Sequence, residues 1–255
     1  MKALVKSLLK KLGVRVSRNP PHRFDALDDV LHGLRTRRFR PALIVDAGAN
    51  RGQWARKAIQ HFPGVPILLV EPQPACQASL RSLQAEAPQV FIAEVALTSP
   101  GPATVWMDGA GWTQGSTGTR VLVRDLPGGN RVEVPARTLD AVMSSSVPAS
   151  LSGPLFLKLD LEGHEAEALQ GAGATLARTE VVLSETRLLG GALDAPLDFE
   201  RLVDQLRLSG FVLYDFASLS GRPGDGRLRV MDLVFVRRGG ALDAERQWVG
   251  ASGAE

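Results

Sequence analysis

The sequence predicts an α/β protein with a doubly wound, mostly parallel sheet, a β-hairpin insertion and helices at the N-terminal side. Three observations carry this expectation. Beyond Leu43, short β-rich apolar runs alternate with stretches of helical period, the pattern of successive βα units. The first such run ends in an acid followed by a glycine-rich turn, at the place where an open α/β sheet meets its ligand. The chain has 255 residues, 44% of them apolar, which suffices for one large core, and its 26 glycines and 16 prolines are scattered as punctuation rather than as low-complexity sequence.

The chain opens with 1-MKALVKSLLKKLGV-14, whose apolar residues at 1, 4, 5, 8, 9 and 12 share a helical face while Lys2, Lys6 and Lys10 occupy another. Lysines interrupt every apolar run, so the segment is neither a signal peptide nor a membrane span. Two readings stand. Residues 1–18 lie on an anionic membrane surface, or the helix caps the domain with its lysines in water. Residues 1–40 carry 11 Lys or Arg against 3 Asp, and the remaining 215 carry 19 against 24 acids, so the net charge of +3 conceals a basic start on an acidic body. That body has no basic stripe interleaved with aromatics, which argues against nucleic acid as a partner. The expected location is cytoplasmic, at most peripheral at the inner membrane surface. One cysteine, Cys76, excludes an internal disulfide framework and a cysteine-based zinc site.

After Asn19-Pro20-Pro21, the residues Phe24, Leu27, Val30, Leu31 and Leu34 mark a second helix. Its acids come early and Arg35, Arg37 and Arg38 come late, as the helix dipole favours. Strands are then expected at 43–46, 67–71, 90–96, 155–160, 180–185, 211–216 and 231–236, with helices at 53–60, 74–86, 164–176 and 198–209. Between 97 and 138 the rhythm breaks. There 103-ATVWM-107, 119-TRVLVRDL-126 and 131-RVEVPA-136 read as antiparallel strands, the last two joined around Pro127-Gly128-Gly129-Asn130, as an insertion in one domain. The expected organisation is N-terminal helices over 1–40, a main domain over 41–238 and a tail over 239–255.

The turn 46-DAGANRG-52 specifies its ligand by what it lacks. Asp46 ends the strand, Gly48 and Gly52 let backbone approach a ligand, and Asn50 tolerates a left-handed turn. A dinucleotide fingerprint from Gly48 would need glycines where Asn50 and Gln53 stand, and no Gly-Lys-Ser/Thr phosphate loop is present. An acid and two glycines with no phosphate-binding cation suit S-adenosylmethionine, whose tail carries an amine and whose ribose is unphosphorylated. Glu71, followed by Pro72 and lying 25 residues after Asp46, ends the next strand where an acid accepts hydrogen bonds from both ribose hydroxyls.

The ordered set 45-VDAGANRGQW-54, 70-VEPQP-74, 138-TLDAVM-143, 155-LFLKLDLEGHEAEALQGA-172, 181-VVLSE-185 and 231-MDLVFVRR-238 resembles the FkbM-type methyltransferases. The family's K-x-D-x-E-G-x-E stands complete as Lys158, Asp160, Glu162, Gly163 and Glu165. The resemblance implies a class I methyltransferase (Rossmann-like) fold, S-adenosylmethionine as cofactor, and O-methyl transfer to a hydroxyl of a sugar, a glycan or a polyketide-type natural product. N-methylation on the same scaffold and a non-catalytic cofactor-binding protein are the alternatives. Between 98 and 120 the match to the family is loose, and the acceptor is least readable there.

An alcohol loses its proton as it attacks a methyl group, so a general base should project from a strand end toward the cofactor. Asp160 fits best, at the end of its strand, with Glu162 in the following turn and Glu185 at the next strand's end. His164 is a further candidate beside the plainer reading of a solvated or capping histidine. Lys158, inside the strand, is expected to pair with a carboxylate. Asp160, Glu162 and Glu185 together offer hard oxygen ligands that suit Mg2+, which the spacing permits without requiring. Trp112 is read either as a platform for a sugar or as a packing anchor, Trp54 as core, and 217-ASLSGRPGDGRLR-229 as a loop closing over the site.

Overall fold

Alternation along the central strands divides the apolar side chains between the two faces of one sheet. In chain order the strands are β1 (His22–Asp25), β2 (Leu43–Ala47), β3 (Ile67–Val70), β4 (Val90–Ala93), β5 (Ala96–Leu97), β6 (Thr104–Asp108), β7 (Arg131–Arg137), β8 (Leu155–Leu159), β9 (Thr179–Arg187), β10 (Phe211–Gly221) and β11 (Leu228–Arg237). The helices are α1 (Leu27–Thr36), α2 (Gln53–His61), α3 (Pro74–Glu86), α4 (Leu139–Ser146), α5 (Glu165–Gln170), α6 (Gly173–Arg178) and α7 (Asp198–Leu208). This computed structural model describes residues 22–108, 121, 131–188, 198–222 and 224–244. The segment 1–18, Trp112 and the end of the tail lie outside the described residues.

Leu43, Val45 and Ala47 of β2 join Leu155, Leu157 and Leu159 of β8 against Leu139, Val142, Leu169, Leu202 and Leu206. Ile44 and Phe156, out of phase by one residue, point the other way and meet Leu31, Leu34, Ala55, Ala58 and Leu80. Helices α4 to α7 thus cover one face and α1 to α3 the other, which gives the doubly wound, Rossmann-like three-layer arrangement expected from sequence. On the second face Phe156 is fully buried and receives three rings edge-on: Trp54 at 5.6 Å, and Phe39 and Phe62 each at 6.0 Å.

The sheet runs β1-β10-β11-β9-β8-β2-β3-β4. Adjacent pairs from β9 through β8, β2 and β3 to β4 are parallel, and β11 is antiparallel to both of its neighbours. With β1 antiparallel to β10, only β1 and β11 oppose the common direction. The chain leaves β2 toward β3 and β4 on one side and returns to β8 on the other. That reversal opens a crevice at the carboxyl ends of β2 and β8, the site where such sheets bind ligands.

Several expectations are corrected. Phe24 lies in an edge strand opposite Leu219, and the helix begins only at Leu27, with Asp28 and Asp29 in its first turn. The expected strand 90–96 ends at Ala93; Glu94 turns outward to Arg81, 2.7 Å away, and Ala96–Leu97 joins a separate sheet beside β7. The expected helix 164–176 breaks at Gly171, where a side chain would sit 2.7 Å from the Thr98 carbonyl. The stretch 217–229 is no simple loop, since β10 runs to Gly221 and β11 starts at Leu228, pairing as a hairpin. In the insertion β7 pairs antiparallel with β6, and Val121 bridges Met107; the rest of 119–126 lies outside the described residues.

Phe156→Ala removes the ring that three others surround. It should lower the unfolding free energy by about 3 to 5 kcal/mol in urea denaturation, well beyond a surface substitution.

Candidate active site

Three consecutive demands on the backbone shape the turn after β2. Gly48 and Gly52 both have φ of 79° and Asn50 has 46°, so the chain passes the left-handed region three times in five residues. Gly48 also lacks room for any side chain, because a Cβ there would fall 1.9 Å from the Asp160 carbonyl oxygen. The N–H groups of Gly48 and Ala49 both donate to the Val70 carbonyl, at 2.9 and 3.1 Å. Gly52 precedes α2 as its N-cap and does not line the cleft beyond the turn.

Glu71, buried, ties this turn to the next one. Its Oε2 accepts the Asn50 N–H at 2.8 Å and its Oε1 the Gln73 N–H at 2.9 Å, while Gln77 Nε2 donates to the Glu71 carbonyl at 2.7 Å. Burial raises the Glu71 carboxyl above the usual range, opposed by these donors. Glu71 and Pro72 line a cleft of about 290 Å³, together with Gly48, Asn50, Asp160 and Glu162. Its apolar wall was not foreseen: Leu97, Met107 and Val121 arrive from the small insertion sheet. Trp54, expected in the core, serves both places, since its ring packs on Phe156 and also borders the cleft.

Asp46 lies beneath this cleft and does not line it. It is fully buried, and Lys158, opposite it in the parallel register of β2 and β8, places Nζ 3.0 Å from Oδ1. The same ammonium donates to the Gly48 carbonyl at 2.9 Å and stands 3.4 Å from Asp160 Oδ2. Burial pulls the Lys158 pKa down, but Asp46 and Asp160 outweigh it and hold the ammonium above the ordinary lysine value. The carboxylate partner expected for Lys158 is therefore two carboxylates.

The turn after β8 carries the remaining acids. Glu162 has φ of 57° and Gly163 of 99°, and buried Glu165 stabilises this conformation by accepting the N–H groups of Leu161 at 2.7 Å and Gly163 at 3.2 Å. Burial pushes Glu165 up to about 7 against those donors. Glu162 forms an ion pair with Arg187, which also donates to its carbonyl at 3.1 Å. Ligand oxygens of Asp160, Glu162 and Glu185 lie within 4.8 Å of one another. Asp160 has Lys158 beside it and Glu162 has Arg187. Glu185 is pushed up to about 8, first by burial and then by the charges of Asp160 and Asp232.

His164 is not solvated; it stands at the N-cap position of α5, where its carbonyl accepts the Ala168 N–H at 3.1 Å but its side chain makes no capping bond. It is 7% exposed and borders the cleft, and neither ring nitrogen has a hydrogen-bond partner among the described residues. Nδ1 is 3.6 Å from Glu167, which is itself paired with Arg201. Burial lowers its pKa, so the ring is neutral near pH 7.

Gly48→Ala should weaken S-adenosylmethionine binding at least ~10-fold by calorimetry, since the αL penalty and the overlap with Asp160 both displace the turn. Lys158→Met strands Asp46 as a buried charge and should cost about 3 to 5 kcal/mol in chemical denaturation. For Glu185 the folded pKa is about 8, against about 4.5 for a glutamate in water. The folded state then holds an extra proton between these values, and its stability falls as pH rises through that window. Glu185→Gln removes this penalty, so its gain in melting temperature over the parent should grow from about pH 5 to about pH 8; an equal gain at both would contradict the assignment.

The structure can be set beside known proteins. A precorrin-6y C5,15-methyltransferase from Geobacter metallireducens aligns at 12% identity over 83% of this chain and 87% of its own, with a TM-score of 0.44. The 1,6-didemethyltoxoflavin-N1-methyltransferase of Burkholderia thailandensis, solved with S-adenosylhomocysteine, aligns at 14% identity over 83% and 76%, with a TM-score of 0.45. No curated protein matches the chain. The family model for the methyltransferase FkbM domain matches residues 46–212. That span runs from the buried acid of β2 through the paired carboxylates after β8 to the start of β10, and the chain belongs to the FkbM family of S-adenosylmethionine-dependent methyltransferases.

Proposed function

We propose that the protein transfers the methyl group of S-adenosylmethionine to a hydroxyl of a sugar, glycan or polyketide-type acceptor, with Asp160 as general base. The observation that carries this reading is the position of Asp160. Its side chain is 36% exposed where β8 ends at the cleft, and Lys158 stands beside it. The Glu71 carboxyl accepts the Asn50 and Gln73 N–H groups and a bond from the Gln73 side chain, and a carboxylate, which offers about four lone-pair sites, still has acceptor capacity for a ribose hydroxyl. Gly48, Asn50 and Pro72 shape the cofactor's bed, with Asp46 and Gly52 supporting it from below and from the helix start.

In the reaction the acceptor oxygen attacks the methyl carbon in line, the carbon–sulfur bond breaks, and the hydroxyl proton passes to Asp160. Alignment of the two reacting atoms supplies much of the acceleration, on the order of 7 to 11 kcal/mol, and the base a further ~100- to 10,000-fold. Glu185, protonated up to about pH 8, spares Asp160 an uncompensated negative charge beside it. His164, whose ring borders the cleft with both nitrogens buried, is the further candidate for a proton-handling role, and it would have to turn toward the cleft to meet the acceptor. The donor set also fits Mg2+, which Asp160, Glu162 and Glu185 would hold once Glu162 leaves Arg187. Its chemistry there would be to acidify the acceptor hydroxyl. The methyltransferase unit spans 41–238, with 1–40 and 239–255 as appendages. Among the described residues no helix is long and apolar enough to cross a membrane.

Glu71→Ala should abolish measurable cofactor binding while the circular dichroism spectrum stays unchanged; undiminished affinity would remove the ribose role. Asp160→Asn should bind cofactor normally and turn over at least ~100-fold more slowly. Radiolabelled S-adenosylmethionine incubated with glycan, lipid and polyketide extracts identifies the acceptor. Label that enters only amines would replace O-methylation by N-methylation, and cofactor binding without label in any extract would indicate a scaffold.

A further inference from the structure

At the opposite end of the sheet from the methyl-donor cleft lies a second one, of about 580 Å³, bordered by Arg37, Arg38, Arg40 and Arg178. Phe39, Pro154 and Leu242 form its apolar part. Arg40 and Pro154 stand just before β2 and β8, whose five residues separate the two clefts by roughly 17 Å at ~3.3 Å per residue. Nothing in the methyl-transfer site uses these arginines.

Their arrangement is more ordered than that of a solvated basic face. Arg40 Nη1 donates to the Arg35 and Phe39 carbonyls, each at 2.9 Å, and Arg178 Nη2 to the Leu151 carbonyl at 2.6 Å. A guanidinium has five donors, so each tether fixes the group and leaves further N–H groups unused. Arg38 has φ of 63°, at the position after a helix end where glycine costs least, and its side chain has no partner among the described residues. The acid bordering the cleft, Glu180, is attracted to Arg237 as well. Among the described residues bordering the cleft, Arg38, Arg40 and Arg178 face one acid, itself shared with Arg237, which leaves a positive cleft lined with fork-shaped donors, the chemistry that matches a phosphate group.

We propose that this cleft binds a phosphate group, presented either by the headgroup of an anionic lipid or by a soluble phosphorylated molecule. A lipid would place the carboxyl ends of β2 and β8, and the methyl-donor cleft with them, facing away from the bilayer. The basic segment 1–18 precedes this cleft in sequence and supplies an independent route to anionic surfaces.

The test uses the full chain, the double variant Arg38→Glu/Arg40→Glu and a variant lacking residues 1–18. Inorganic phosphate is titrated by calorimetry. Vesicles of phosphatidylcholine, with or without one-third phosphatidylglycerol, are used for co-sedimentation. S-adenosylmethionine affinity, expected unchanged in both variants, reports that they are folded. The expected result is phosphate or anionic-vesicle binding by the full chain that falls at least ~10-fold in the double variant and survives removal of 1–18. Loss in the vesicle arm assigns the lipid headgroup, and loss in the phosphate arm alone assigns a soluble ligand. The proposal is overturned if the full chain binds neither, if the double variant binds like the full chain, or if binding disappears only when residues 1–18 are removed. Should Arg38→Glu/Arg40→Glu fail to fold, Arg38→Gln, which leaves the Arg40 tethers in place, should still weaken binding; unchanged binding there also overturns it.

Discussion

The ammonium of Lys158 is the interaction on which the catalytic end of the sheet depends. It lies between two parallel strands, compensating the wholly buried Asp46 on one and reaching Asp160 on the other, while holding the Gly48 carbonyl of the glycine turn after β2. Two carboxylates and a backbone oxygen therefore share one cation. Without it, Asp46 would be an unpaired charge inside the protein and Asp160 would lose its neighbour. A buried ion pair adds little to net stability compared with apolar packing, yet removing one member is severe. Its value here is geometric, since it fixes the donor turn and the proposed base relative to each other.

Around that cation the acids are sorted by what neutralises them. Asp160 has Lys158, Glu162 has Arg187, and Glu185 has no such cation at its side among the described residues and holds a proton instead. Glu165 adds no reactive group to the cleft. Its carboxylate takes up two N–H groups that a left-handed turn leaves unpaired, and this keeps Glu162 where it is. A run of four acids in eight residues thus divides into the proposed base, a paired acid, a turn support and, with Glu167, an anchor for Arg201. His164 sits among them as a neutral ring.

How much of this could be read in advance follows the range of each interaction. The turn at 46–52 was legible because glycine and asparagine at left-handed positions are local demands, and so was the Rossmann-like alternation of strands and helices. Asp160 and Glu185 were legible as strand-end acids and Glu162 as the acid of the turn after Asp160, and the three do converge, although β9 continues past Glu185 to Arg187. The partner of Lys158 on the neighbouring strand was not, since Asp46 is 112 residues away and only the parallel register brings them together. Arg187 opposite Glu162 and the wall formed by Leu97 and Met107 were hidden for the same reason. Phe24 misled because its spacing to Leu27 fits a helix as well as a strand end; pairing with Leu219 decided for the strand.

That pairing also constrains how the molecule is made. β1 is the first described strand, but its partner β10 occupies residues 211–221, and β10 reaches the sheet only through β11, which ends at Arg237. During synthesis from the N-terminus, the edge formed by residues 22–25 must wait for nearly 200 further residues before it finds a neighbour. The parallel core from β4 to β9 can assemble earlier, leaving the outer side of β9 open until the hairpin arrives. Closure of this sheet is a late event of high contact order, so truncation near the C-terminal hairpin exposes an aggregation-prone strand edge rather than merely shortening the protein.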